Sequence, residues 1–237
     1  MLFRSLGILL PLFRTDIADA RAAAAEAEAV GLDGVFAYDH LWPIGHPERP
    51  AFRPFPILAE TLTTTSALSV GPLVARVGLV DNAVLEAEFM ALHALGPGRL
   101  IAALGIGDGL SAAENAAYGI GLDAAPLRRE ALRELAGTLA GAGLEVWVGG
   151  TGPKTVELTR SISAAVNCWA VTPESVAALA ADGPVTWAGD LPGDLDEMAR
   201  HLDDLATAGA TWCVTTYGTT AAMVAEAAAK VGLRPTR

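Results

Sequence analysis

Short runs of Val, Ile, Leu and aromatic residues alternate along this chain with longer Ala-rich stretches, and each change of pattern is marked by Gly, Pro, Asp or Thr. The apolar runs have the length of interior parallel strands, and the Ala-rich stretches repeat at helical spacing. The pattern predicts eight strands, at Ser5–Leu10, Gly34–Tyr38, Ser69–Ala75, Arg99–Leu104, Leu144–Val148, Ala165–Ala170, Pro184–Ala188 and Thr211–Thr216. Each is followed by a helical stretch. Thr15 is placed to cap the first helix, whose apolar face is Ile17, Ala20, Ala24, Ala27 and Val30, and Gly31 supplies a left-handed stop. Asp194 and Glu197 form a capping-box pattern ahead of Leu195, Met198, Leu202 and Leu205, with Gly209 as the stop. Thr219–Val231 reads as an amphipathic closing helix.

Eight such units with no shift in composition predict one domain over residues 1–237, a single α/β (β/α)8 TIM barrel with short insertions. An open doubly wound sheet is disfavoured, because the first strand runs into LLPLFRTD and not into a glycine fingerprint. Two connections are long, Asp39–Arg53 and Gly105–Ala125. Both leave the C-terminal end of a strand, the face on which barrels build their sites.

Composition narrows the partners. A net charge of −11 with scattered basic residues argues against nucleic acid, which a Lys/Arg patch would have to neutralise. No stretch approaches the roughly 20 uninterrupted apolar residues of a membrane span. The opening MLFRSLGILLPLF, broken by Arg4 and Pro11, reads as a first strand and not as a signal peptide, so the expected location is cytoplasmic. Cys168 and Cys213 lie in strand-like runs without metal-ligand spacing and read as free buried thiols; no metal site is expected.

The residues that could carry chemistry stand at strand ends. Asp39 and His40 close the second strand. His40 could act as a general base, since imidazole titrates near working pH, or be a solvated loop residue with Asp39 capping the turn. Trp42 could wall a pocket or anchor the loop. His46, among prolines, reads as exposed, and His93 and His201, on helices, as structural. Gly105, Gly107 and Gly109 let backbone approach a planar group. GGTGPKT, spanning Gly149, Gly150, Thr151, Gly152 and Lys154, lies between a strand and a helix and forms either an anion site or a tight turn. Trp147, Trp169, Trp187 and Trp212, one in each of the last four strands, read as packing residues.

Four segments in order resemble the luciferase-like superfamily of flavin and deazaflavin oxidoreductases: AEAEAVGLDGVFAYDHLW, SVGPLVARVG, ALHALGPGRLIAALGIGDG and VWVGGTGPKTVEL. The resemblance runs through about Ala170. It implies an oxidoreductase that uses coenzyme F-420 to move a hydride to or from a small organic substrate, with His40 as base. Asp39, Leu73, Val74, Gly105, Gly107 and the Gly149–Lys154 loop would then contact the cofactor, and a non-prolyl cis peptide is implied near Leu73 and Val74. An FMN-dependent monooxygenase on the same barrel, or a flavin-binding barrel without catalysis, are the alternatives. Leu110 stands where sugar-phosphate dehydrogenases of the family carry an acid, so Asp108 beside it is the substitute candidate. The chain is shorter than its relatives around the fourth helix and between strands six and seven. Relatives often dimerise through helices beside the barrel, which makes a homodimer the implied assembly.

Overall fold

The computed structural model describes residues 5–233; the predicted barrel therefore spans the described residues, and Arg4 and the last four positions lie outside them. Strands β1 (Ser5–Leu9), β2 (Gly34–Ala37), β3 (Ser69–Pro72), β4 (Ala75–Arg76), β5 (Ile101–Gly105), β6 (Glu145–Gly149), β7 (Ala165–Trp169), β8 (Val185–Gly189) and β9 (Ala210–Thr215) form one parallel sheet. Its order is β3-β2-β1-β9-β8-β7-β6-β5-β4. The two edges, β3 and β4, are halves of one barrel strand, and the bridge Val70↔Leu100 brings β3 onto β5 as well, so the sheet curls into a nearly closed α/β TIM barrel.

The predicted strands agree with these spans to within about two residues, except the third, which is broken. Its break carries a cis peptide between Leu73 and Val74, the feature that family likeness had implied.

Helices α1 (Ala18–Ala29), α2 (Pro54–Thr64), α3 (Asn82–Leu95), α4 (Ser111–Ala117), α5 (Ala125–Gly141), α6 (Pro153–Ser161), α7 (Pro173–Ala180), α8 (Leu195–Thr207) and α9 (Ala221–Lys230) connect the strands. Only α4 has no counterpart in the sequence pattern; it is a short helix inside the long connection after β5. The first cap also differs from expectation. Thr15 is two residues too early, and Asp16 instead accepts the Ala18 N–H at 2.9 Å. Asp194 caps α8 by accepting from Asp196 N and Glu197 N. Among the described residues, no helix is long and apolar enough to cross a membrane.

Two apolar layers form. Side chains facing outward from the strands pack under the helices, and a second cluster that includes Leu9, Phe36, Ile101, Trp147, Trp212 and Val214 fills the barrel interior. Phe36 stacks on Trp147 at 5.2 Å between centroids, and Trp212 meets both rings edge-on at 5.5 Å. Three large rings fit because neighbouring strands carry glycine: a Cβ on Gly7 would come within 2.9 Å of the Phe36 ring, and one on Gly34 within 3.1 Å of Trp212. The aromatic plug closes the lower barrel and leaves open space at the C-terminal strand ends. Cys168 and Cys213 are buried and unpaired, and burial pushes the Cys168 thiol up to about 12.

Candidate active site

At the exit of β2 the chain runs extended, so Tyr38, Asp39 and His40 point in alternate directions. Asp39 turns into the protein, where its side chain is 1% exposed. Its Oδ2 accepts the Arg76 N–H at 3.0 Å, tying the exit of β2 to that of β4. The Arg53 guanidinium, just ahead of α2, lies 2.7 Å from Oδ1 as an ion pair without hydrogen-bond alignment. Burial pushes the Asp39 carboxyl above the ordinary Asp value, against the pull of Arg53 and the Arg76 N–H.

His40 turns the other way, toward α4. Its Nδ1 lies 3.2 Å from Glu114 Oε2. The same oxygen accepts from Arg76 Nη1 at 2.8 Å, while Glu114 Oε1 accepts the Leu41 N–H. Glu114 and Arg76 are both buried, with side chains 4% and 5% exposed. Desolvation alone would raise the Glu114 pKa; the hydrogen bonds from Arg76 and Leu41 N outweigh it and hold the carboxyl below its ordinary range. Glu114 is therefore a carboxylate that fixes the imidazole. Donation from Nδ1–H to Glu114 leaves the Nε2 lone pair as a base.

These groups open onto a cavity of about 870 Å³ at the C-terminal strand ends. Val74, carried on the cis bulge, bulges into it, and Leu73 lies below in the barrel interior. Gly105 and Gly149 face Val74: a Cβ on either would meet its methyl groups at 2.5 and 3.0 Å. Their missing side chains thus make room for the bulge itself. Gly107 is left-handed, with φ of 67°, and lies under the Arg76 side chain. Across the mouth, Phe13 stacks on Tyr38 with planes 5° apart at 5.3 Å, and Tyr38 meets Trp169 at 6.0 Å. Burial, with Asp190 nearby, pushes the Tyr38 hydroxyl well up, so it stays a donor.

Of the sequence candidates, Asp39, His40, Trp42, Leu73 and Val74 line this cavity, and so do Gly105, Gly107, Asp108, Gly149 and Gly150. Trp42 leans on Tyr118 at 5.6 Å. Asp108 is exposed, and its Oδ1 accepts the Leu110 and Ser111 N–H groups at 2.8 and 3.3 Å, so it caps the turn into α4 and makes no contact with His40. Thr151, Gly152 and Lys154 are exposed and stand outside the cavity wall. In this loop the Gly150 N–H is committed to the Asn167 carbonyl at 3.0 Å, whereas α6 starts at Pro153 with no side chain capping its N-terminus. Thr155, in its first turn, reaches the cavity.

Trp169 corrects the packing assignment. Trp147, Trp187 and Trp212 are buried as expected, but Trp169 is 48% exposed at the cavity mouth because it is the last residue of β7. Sequence reasoning also passed over Arg76 and Glu114. A cation ending an otherwise apolar strand and a lone acid in SAAENAA were the available signals, and only the fold joins them.

A family model described as luciferase-like monooxygenase matches residues 6–237. No curated protein matches in sequence. Among solved structures, the chain is similar to an F-420-dependent secondary alcohol dehydrogenase in complex with an F-420–acetone adduct. That pair has 15% identity and a TM-score of 0.78, covering 97% of this chain and 98% of the other. The F-420-dependent tetrahydromethanopterin reductase of Methanopyrus kandleri has 13% identity and a TM-score of 0.74, with 98% of each chain covered. The oxygenating constituent of 3,6-diketocamphane monooxygenase from Pseudomonas putida, in complex with FMN, has 14% identity and a TM-score of 0.63, covering 84% of this chain and 71% of that one. At such identities the likeness is one of fold.

Proposed function

The chain belongs to the luciferase-like monooxygenase family, and from that premise we propose that it is an F-420-dependent oxidoreductase oxidising or forming a small alcohol in the cavity above β2 to β7. The observation that carries the reading is the pairing of His40 with buried Glu114 at the mouth of a barrel whose cavity can hold a flat ring. The residues present fit such a ring. Arg76 Nε and Nη2 are buried without a hydrogen-bond partner among the described residues, and ring carbonyl oxygens are the acceptors they lack. The uncapped start of α6 suits a ribityl phosphate.

When bound, the deazaflavin supplies the acceptor for the hydride that leaves the carbinol carbon. His40 takes the hydroxyl proton at Nε2. Glu114 holds the ring in the Nδ1–H tautomer and balances the imidazolium that forms, while Arg76 keeps Glu114 ionised. Asp39 ties the backbone that carries His40 to the one that carries Arg76.

The same cavity and helix start would accept FMN, and the likeness to a structure in complex with FMN supports a flavin monooxygenase as the second reading. A barrel without catalysis would call for a closed or wholly apolar pocket, and this one is open and carries His40. The test is a stopped-flow single turnover with F-420 and a panel of alcohols. His40→Ala should lose roughly 10²- to 10⁴-fold in the rate of deazaflavin reduction with little change in cofactor affinity. A rate equal to wild type would remove His40 from the mechanism.

A further inference from the structure

Large apolar side chains gather where the cavity meets solvent. Leu110 is 70% exposed, Ile44 58% and Trp169 48%, and all three line the mouth. Tyr118, also exposed, packs on Trp42 beside them. Leaving such surface in water is unfavourable unless something covers it, and a contiguous apolar rim marks a binding surface. The rim is continuous with the reactive groups, so its occupant is the molecule that also reaches His40.

The charges select further. The lining holds Asp39, Asp108 and Glu114 and, among the described residues, one cation, Arg76; Arg53 offsets Asp39 at 2.7 Å and Arg76 offsets Glu114 at 2.8 Å. A carboxylate or phosphate beside His40 would find no cation that lacks a carboxylate partner, and the donors left on Arg76 are the ones a ring carbonyl takes.

We propose that the substrate is an uncharged alcohol, or the matching ketone, with an apolar body seated on Leu110, Ile44 and Trp169 and its oxygen turned to His40. This rests on His40 as the base of the reading above. It predicts poor binding of sugar phosphates and hydroxy acids.

Ligand entry can be followed by the fluorescence of Trp42 and Trp169 in the full chain, both alone and saturated with F-420. The probes are 1-cyclohexylethanol, 2-propanol, lactate and glucose 6-phosphate. The cyclohexyl alcohol should bind at least tenfold more tightly than 2-propanol, equivalent to about 1.4 kcal/mol, and the two anions should give no saturable change. Leu110→Glu, at an exposed position, should melt as wild type does and lose at least tenfold in affinity for the cyclohexyl alcohol. Tighter binding of either anion, or an unchanged affinity in the Leu110 variant, overturns the proposal. If neither F-420 nor FMN binds while the alcohol preference persists in the chain alone, the oxidoreductase reading falls and the rim's preference for an uncharged apolar alcohol still stands.

Discussion

The two sides of the cavity are built by different means. On the side of β2, β4 and α4, side chains distant in sequence converge: Asp39, Arg53, Arg76, His40 and Glu114 form a linked set of ion pairs and hydrogen bonds, mostly buried. On the side of β6 and α6, no charged side chain of the described residues enters the wall, and the surface is glycine backbone, the neutral side chains of Thr155 and Asn167 and a helix start. The first side can move a proton, because its groups are held and their charges are matched. The second offers only groups that cannot titrate, so the role open to it is binding. Chemistry and anchorage are thus separable, and variants on one side should leave the other's readout alone.

The largest expected effect is on the wired side. Glu114→Gln leaves the Arg76 guanidinium buried without its counter-charge, and urea denaturation should show a loss of about 3 kcal/mol. Breaking the exposed pair Lys230–Asp196 on the outer helices should move the same assay far less, because solvent and salt screen it. The pH dependence has a definite sign. Since the folded Glu114 carboxyl titrates below the ordinary value of 4.5, its contribution is fully present above that value and fades as the pH falls through the lowered pKa. A gap between wild type and Glu114→Gln that widened on acidification would break the argument.

The backbone side gives a medium effect and no loss of fold. Gly150 is a poor place to probe it, since φ of 118° strains any other residue there. A Cβ at Gly152 would meet only Thr155 Oγ1, at 4.0 Å, so Gly152→Val should fold normally. It should weaken cofactor binding about tenfold by crowding the approach to the start of α6, with the single-turnover rate of the saturated enzyme nearly unchanged. Equal affinity in a folded variant would make the loop a turn and nothing more.

The smallest effect belongs to Asp39. Burial raises its pKa above the ordinary 3.8, so ionising it in the folded state opposes folding. The stability of wild type relative to Asp39→Asn should therefore be highest at low pH and decline as the pH rises through the raised pKa. Parallel curves across that range would show that Arg53 and the Arg76 N–H compensate the burial in full.

The same contrast explains what was legible in the sequence. Strand runs, glycine stops and the strand-to-helix turn GGTGPKT are local patterns, and they placed the barrel strands and the turn ahead of α6 to within a residue or two. His40 was legible as an imidazole at a strand end. Its partner was not, because Glu114 lies 74 residues away on a short helix that the Ala-rich loop does not announce. Gly105 and Gly149 were visible as glycines, but their purpose depends on Val74 reaching across from another strand. Trp169 was misassigned for a similar reason: burial in a barrel depends on height along the strand, and residue type does not encode that.

That this cavity holds a deazaflavin ring is the proposal most open to direct test. Titrating the purified chain with F-420 and separately with FMN, and following quenching of the ligand's fluorescence, measures it without a substrate. At least tenfold tighter binding of F-420, equivalent to about 1.4 kcal/mol, is the predicted result; binding of neither would contradict the claim.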